Sequence, residues 1–293
     1  MIKRLAILGV GLIGGSLARA LRDAGYVQEI VGYGRSLANL QRAVELGVVD
    51  RIETSLSATV NGADMVVLAT PVGTMPEVFT SIAPYLGKDA VVTDVGSVKG
   101  SVVSAARATL GAKLTAFVPG HPIAGTEHTG VEASSANLFV GRRVVLTPLS
   151  ENRPESVARV RALWQAAGAD VVEMSVAHHD EVLAATSHLP HLLAYALVDL
   201  LAQLEDRREV FAFAAGGFRD FTRIASSDPI MWRDISLANG DAVVHMLTAY
   251  RGELDKLITA VKAGDGQALQ QLFTRAKLAR DTLINNDSKK EIT

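Results

Sequence analysis

The sequence predicts an α/β fold, a parallel sheet covered by helices on both faces, followed by an all-helical domain. Two observations carry this. Apolar runs of strand length recur through the first 175 residues, with helical patterns between most of them, and no convincing strand follows residue 176. The runs are LAIL (5–8), EIVGY (29–33), MVVLA (65–69), AVVTDV (90–95), AFV (116–118), RVVLT (143–147) and DVVEM (170–174). They are apolar throughout instead of alternating, which suits strands buried on both faces of a parallel sheet. Helical patterns occupy 14–24, 37–46, 76–85, 98–109 and 154–167.

The second half has a different character. Residues 177–204 read as one long helix that Pro190 should kink. Asp228 before Pro229 reads as an N-cap with proline at the first helical position. Val243, Leu247, Tyr250, Leu254, Leu257 and Val261 have helix spacing, Gly264 closes that helix, and Asp265 can cap the next. The tail NNDSKKEIT is polar and expected to fray. The expected division is 1–175 and 176–293.

Composition narrows the function. A chain of 293 residues can bury a large core and form two domains. With 20% charged residues, 48% hydrophobic ones and a net charge of −2, nothing favours nucleic acid or an anionic membrane as partner. The absence of cysteine excludes disulfides, thiolate metal sites and cysteine nucleophiles. The opening MIKRLAILGVGLIGG is broken by glycines and leads into the fold, so it does not read as a signal peptide. No apolar stretch approaches the roughly 18 residues of a membrane span. A cytoplasmic protein is expected.

The strand RLAILG runs into Gly9-x-Gly11-x-x-Gly14 and then a helix, about 20 residues before the end of the second strand, which is the context of a Rossmann-type dinucleotide site. Gly9 permits the tight turn, Gly11 lets the backbone approach a pyrophosphate, and Gly14 lets helix and strand pack closely. Leu12 and Ile13 complete the loop, whose helix end offers free N–H groups and partial positive charge to phosphates. NAD sites usually carry an acid at the end of the second strand. Here Gly34, Arg35 and Ser36 stand there, which favours NADP over NAD, the alternative being that Arg35 is a solvated surface charge. Thr70, Pro71 and Val72, after the next strand, are candidates to line the nicotinamide. Ser97 and Lys99 are expected to face the substrate, although Ser97 also reads as a helix cap.

GHPIAGTEHTG (120–130) reads as neither helix nor strand, and it places His121 at the same sheet edge. A histidine there can take a hydroxyl proton while the carbon beneath loses hydride. Together with GxGLIGGSLA, ATPV, DVGSVKG, SHLPH and GGFRDFTRIASSDPIMWRDI, this stretch resembles the prephenate/arogenate dehydrogenases of tyrosine biosynthesis, over about residues 3–285. The resemblance implies oxidative decarboxylation of prephenate, or of arogenate, with hydride passing to NADP or NAD. It implies that His121 hydrogen-bonds the carbon-4 hydroxyl, that Ser97 holds the same hydroxyl and orients His121, and that Arg223 binds the ring carboxylate with Asp220 positioning it. Arginine forks suit carboxylates, and Arg219 is either a second such group or a surface charge. Glu127 matches a family position near the site entrance. His188 and His191, three apart on a helix face, read as cleft lining or as core or surface histidines; no third ligand accompanies them, so no metal is expected.

Two rival readings are a β-hydroxyacid dehydrogenase with Lys99 as its lysine and a catalytically silent dinucleotide sensor. GHPIAGTE and FRDFTRIA have no place in the first, and intact Ser97, His121 and Arg223 argue against the second. The long apolar helices of 177–285, with the resemblance, imply a homodimer through the helical domain. No appended regulatory or mutase domain is expected, so any tyrosine inhibition would act at the active site.

Overall fold

The structure is a computed structural model that describes residues 1–126 and 128–284, so Glu127 and the polar tail lie outside the described residues. Contacts divide the chain into two compact units, Met1–Val243 and Val244–Thr293. The first begins β1 (Ile2–Leu8), α1 (Leu12–Asp23), β2 (Val27–Tyr33), α2 (Leu37–Glu45), β3 (Arg51–Ile52), α3 (Leu56–Val60), β4 (Met65–Leu68) and α4 (Met75–Ile82). It continues with β5 (Val91–Asp94), α5 (Gly100–Thr109), β6 (Phe117–Val118), β7 (Gly120–Pro122), β8 (Arg143–Leu146), α6 (Pro154–Ala166) and β9 (Asp170–Glu173). Helices follow: α7 (Val176–Leu183), α8 (Leu189–Ala202), α9 (Arg207–Ala212), α10 (Gly216–Thr222), α11 (Pro229–Ala238), α12 (Gly240–Ala263) and α13 (Gly266–Ile284).

Six strands form one sheet in the order β3-β2-β1-β4-β5-β6 with every pairing parallel. That order reverses between β1 and β4, and ligands bind in such sheets outside the strand carboxyl ends at this reversal. The continuous apolar runs have the cause read from sequence. Leu5, Ile7, Met65, Val67 and Val91 enter one core cluster, while Ala6, Leu8, Val66, Leu68 and Val92 enter another. Successive residues of each strand thus bury opposite faces. On one face α1 supplies Leu17 and Leu21, and on the other α4 and α5 supply Phe79, Ile82, Val102 and Ala106.

Three features correct the expectation of one parallel sheet. The runs at 143–147 and 170–174 do not join it; β8 and β9 form a second sheet with β7. Gly120–Pro122, read as neither helix nor strand, is β7, antiparallel to β8, with His121 opposite Val145. The local sequence is poor in strand formers, and what makes it a strand is pairing with a segment far along the chain. Pro122 has no N–H to donate, which is tolerated at a strand end, and Ile123 N–H still reaches the Arg143 carbonyl at 2.8 Å.

Pro190 does not break its helix. A π-turn over Ala184–His188 joins α7 to α8, so Pro190 falls in the first turn of α8. A widened turn accommodates a residue that lacks an N–H and crowds the preceding carbonyl. Asp228 caps α11 as expected, accepting the Met231 amide at 2.8 Å ahead of Pro229. In the second unit Gly264 (φ +65°) ends α12, and Asp265 accepts the Ala268 amide at 2.9 Å to start α13. Among the described residues no helix is long and apolar enough to cross a membrane.

Candidate active site

The three glycines of the β1–α1 loop do different work. Gly9 has φ +107°, and a Cβ there would stand 2.3 Å from the Ala69 carbonyl oxygen. A Cβ on Gly14 would lie 2.2 Å from the Gly9 carbonyl oxygen, so this glycine sets how closely α1 packs on β1. At Gly11 nothing lies within 4 Å of the Cβ position, so this face of the loop is open to a ligand. The helix behind it starts without a side-chain cap and without an acid in its first turn, which leaves its N–H groups and positive dipole end for an anion. Leu12 and Ile13 form that turn and are half-buried. Asn39 fixes the loop, donating to the Val10 carbonyl at 2.6 Å and accepting the Val131 amide at 3.0 Å.

The neighbouring strand ends complete a cradle for a dinucleotide. After β2, Gly34 has only ordinary van der Waals room taken, with Leu40 at 3.5 Å from its Cβ position. Arg35 is exposed, and Ser36 caps α2 by accepting the Asn39 amide at 3.3 Å. After β4, Thr70 keeps a buried hydroxyl with no hydrogen-bond partner among the described residues, beside Pro71 and Val72. An open glycine face, an uncapped helix end and an orphaned hydroxyl at one sheet edge fit a dinucleotide.

Next to the cradle stands a buried polar network. Asp94, the last residue of β5, and Lys99 form an ion pair with both side chains fully buried. Together they hold Gly120 by both backbone groups: Asp94 Oδ1 accepts its N–H at 3.2 Å, and Lys99 Nζ donates to its carbonyl at 2.7 Å. Burial pushes the Lys99 ammonium below its ordinary value, and the Asp94 charge opposes that shift. His121 follows on the same strand, and its Nδ1 lies 2.9 Å from His179 Nε2. His179 Nδ1 in turn lies 2.7 Å from Asp180 Oδ1. Asp180 accepts the Lys99 amide at 2.8 Å on Oδ1 and the Gly100 amide at 2.8 Å on Oδ2. Burial alone would raise the Asp180 carboxyl, but the His179 bond and these two amides outweigh it and hold it below the usual carboxylate range. His121 is held well below the ordinary histidine value, first by burial and then by the charges of His179, Lys99 and His188. It is therefore a neutral imidazole at physiological pH.

The helices supply the opposite wall. His188 lies fully buried in the π-turn. Its Nδ1 is 3.2 Å from Asn239 Nδ2, which also donates to the Asp180 carbonyl at 2.8 Å. Burial lowers His188 to about 4, against a partly compensating Asp180 charge. Its Nε2 is buried with no hydrogen-bond partner among the described residues. His191 stacks on Trp232 with ring centres 3.7 Å apart, and Nδ1 pairs with the Ser187 carbonyl at 2.9 Å. Burial lowers its pKa, and the Arg223 charge adds to the shift.

Several sequence expectations need correcting. Lys99 does not face a substrate; it is buried beneath β7. Ser97 does not cap α5: the helix cap position is Lys99, and Asp180 takes the first amides. Ser97 is instead half-buried on the loop between β5 and α5, beside the His188 ring. Asp220 and Arg219 are exposed on α10, and among the described residues no hydrogen bond or ion pair joins Asp220 to Arg223, which opens the 3-10 turn Arg223–Ser226 directly after that helix. Glu127 is outside the described residues. Sequence reasoning missed Asp94, His179, Asp180, Asn239 and Trp232. One signal was available: Asp94 is a charge at the end of the apolar strand VVTD, which is costly unless paired, and Lys99 is five residues on. Among the described residues no group of three His, Asp or Glu is placed to hold a metal.

A doubly wound sheet, an open glycine-lined helix end and a neutral histidine anchored beside the end of β5 define a nicotinamide-dinucleotide dehydrogenase. The pattern "Prephenate dehydrogenase, nucleotide-binding domain" matches residues 17–173, and "Prephenate dehydrogenase, dimerization domain" matches 175–275. The chain is 38% identical to a cyclohexadienyl dehydrogenase of Zymomonas mobilis over 96% of both chains. It is also 38% identical to a prephenate dehydrogenase of Bacillus subtilis, over 95% of this chain and 76% of that one. The crystal structure of prephenate dehydrogenase from Aquifex aeolicus in complex with hydroxyphenyl propionate and NAD+ superposes with a TM-score of 0.89 at 38% identity, covering 97% of this chain and 99% of that one. The chain belongs to the prephenate dehydrogenase family.

Two outcomes follow from this geometry. Gly9→Ala forces a Cβ onto the Ala69 carbonyl at positive φ, so it should lower the melting temperature by several degrees, in keeping with strain of about 1–3 kcal/mol. Gly11→Ala should leave thermal stability within about 0.5 kcal/mol and weaken dinucleotide binding measured by nicotinamide fluorescence; equal thermal losses for the two variants would contradict the assignment. The second outcome concerns pH. Unfolded His188 protonates near 6.5, whereas the folded one resists until about 4. The unfolded state then binds more protons in that window, so stability is full above 6.5 and falls as pH drops towards 4, by on the order of 3 kcal/mol from this residue. His121 and His191 shift in the same direction. Denaturant melts across this range test it, and a flat midpoint would contradict it.

Proposed function

We propose that this enzyme catalyses the oxidative decarboxylation of prephenate to 4-hydroxyphenylpyruvate, and/or of arogenate to tyrosine, with NADP+ favoured over NAD+ as hydride acceptor. The observation that carries the reading is His121, neutral and buried, held next to the carboxyl end of β5 by the grip of Asp94 and Lys99 on Gly120. Residues 1–175 serve as the dinucleotide domain, and 176–293 as the substrate and dimerisation domain of a cytoplasmic homodimer. Exposed apolar side chains in that second stretch, among them Phe213, Leu237 and Val261, support pairing of two copies.

The chemistry needs one acceptor for a proton and one for a hydride. Gly9, Gly11, Leu12, Ile13 and Gly14 would hold the pyrophosphate of a bound dinucleotide and Thr70, Pro71 and Val72 would border its nicotinamide, which would supply the acceptor for the hydride of carbon 4. His121 receives the carbon-4 hydroxyl proton as that hydride leaves, with Ser97 holding the same hydroxyl. The carbon-4 oxygen becomes a carbonyl, the bond from carbon 1 to its carboxylate breaks, and the released electron pair makes the ring aromatic. The phenolate oxygen then recovers the proton from His121, so the base is regenerated and CO2 leaves. Arg223 pairs with the ring carboxylate until its departure, and its charge reaches His191 on the same wall. Asp220, Glu127, His188 and His191 complete the substrate side.

The cofactor preference rests on Gly34, Arg35 and Ser36, where no acid stands to take the ribose hydroxyls. Arg35 is exposed, and a guanidinium there suits a 2′-phosphate. Comparison of kcat/KM for prephenate and arogenate with each dinucleotide tests the whole reading. NADP+ should exceed NAD+ by about tenfold or more, the value of a partly exposed charged hydrogen bond. Gly34→Asp, which the Leu40 spacing accommodates, should move preference towards NAD+; equal or better turnover with NAD+ in the unaltered protein would overturn the preference. His121→Asn should lower kcat about 10²–10⁴-fold with dinucleotide binding retained. The acidic limb of the unaltered enzyme should lie below the ordinary histidine value near 6.5, because burial lowers His121. Near-normal kcat in His121→Asn would remove its role.

A further inference from the structure

We infer that Asp180 and His179 are positioning residues that place the ring proton of His121 on Nδ1, so that Nε2 is the nitrogen free to take the substrate's proton. The inference rests on the proposed role of His121 and extends it to two residues that touch neither substrate nor cofactor. Its ground is the unbroken chain Asp180 Oδ1, His179 Nδ1, His179 Nε2, His121 Nδ1, with links of 2.7 and 2.9 Å.

The proton positions follow by elimination. Asp180 is a carboxylate with two backbone amides on its oxygens, and a carboxylate only accepts. His179 Nδ1 must then carry hydrogen and donate to it. A neutral imidazole with hydrogen on Nδ1 has a lone pair on Nε2. The His121 Nδ1 facing that lone pair must therefore be the donor, which leaves the lone pair of His121 on Nε2. This order holds for a neutral His179; a second hydrogen on Nε2, which would make it a cation against Asp180, reverses the link to His121. Were His179 to present Nε2–H, His121 Nδ1 would accept it, Nε2 would carry the hydrogen, and the base would be lost. The tautomer of the reacting histidine is thus decided two residues away, in the manner of a triad carboxylate.

The same chain answers an energetic difficulty. His121 is buried, and His179, Lys99 and His188 face it, so its imidazolium is disfavoured. Of these, the Lys99 charge is engaged by Asp94, and the Asp180 carboxylate lies behind His179. When His121 takes a proton at Nε2, its Nδ1–H bond to His179 strengthens, and the positive charge is shared towards the Asp180 carboxylate. α7 is built to hold this arrangement. Ser175 caps its first turn by accepting the His178 amide at 3.2 Å, and Asp180 is fixed by the amides that start α5. His178, one residue before His179, points to solvent instead, near Glu181.

The test uses the intact enzyme with prephenate and NADP+, and the variants Asp180→Asn, His179→Leu and His179→Gln. Asp180→Asn and His179→Leu should lower kcat about 10²–10⁴-fold, with KM for prephenate and dinucleotide affinity changed less than about threefold. His179→Gln should retain more activity than His179→Leu, because its amide oxygen can accept the His121 Nδ1–H. Nitrogen NMR of the imidazole rings of the unaltered enzyme at neutral pH should find hydrogen on His121 Nδ1; this needs no variant, so it stands even if Asp180→Asn fails to fold. Hydrogen on Nε2 would overturn the inference, as would kcat values for His179→Leu and His179→Gln near that of the unaltered enzyme. If His121→Asn abolishes turnover while the His179 variants do not, the relay fails and the role of His121 survives. If His121→Asn turns over normally, both fail.

Discussion

A buried ion pair holds the working parts of this enzyme together. Asp94 closes a strand of the main sheet, Gly120 opens a strand of the second sheet, and the Asp94–Lys99 pair binds Gly120 by both its backbone groups. Such a pair is expensive to desolvate and is weak grounds for extra stability. What it supplies here is position. His121 is the next residue after the one gripped, so its backbone is fixed relative to the strand ends that form the dinucleotide cradle. Gly120 is also the residue that permits the approach, since a Cβ there would come within 3.2 Å of the Asp94 carbonyl oxygen.

From this anchor the site extends by two short chains of hydrogen bonds. One runs from His121 through His179 to Asp180, whose carboxylate also organises the start of α5. The other runs from Asp180 through its carbonyl to Asn239 and His188, which ties α7, the π-turn and the end of α11 together. Burial keeps His121 and His188 neutral. A neutral imidazole is what a proton acceptor must be, and the buried cation beside it, Lys99, is paired with Asp94. Acid and base work are separated by environment, not by residue type.

The sequence was legible where local physics decides structure. Doubly buried strands, the glycine loop, the Asp228 cap and the Gly264 stop all follow from short-range rules, and each stands where the sequence put it. Legibility ended where partners lie far apart in the chain. Gly120–Pro122 is a strand only because β8 pairs with it, and hydropathy does not say which sheet a strand joins. Pro190 pointed to a kink but not to the π-turn over Ala184–His188 that ends two residues before it. His121, Ser97 and Arg223 were singled out by motif. His179 and Asp180 were not, because a histidine and an aspartate within an amphipathic helix carry no mark of what they face. Their role becomes visible only when α7 is laid against β7.

The central claim is that proton acceptance at His121 and hydride departure lead to loss of the ring carboxylate in one enzyme-bound event. The most direct measurement uses prephenate isotopically labelled in the ring carboxyl, with reduced nicotinamide and labelled CO2 followed together in single turnovers. The account predicts equal yields of the two products and no net release of protons to the medium, since His121 returns its proton to the phenolate. Reduced nicotinamide without labelled CO2, or a proton released for each turnover, would contradict it.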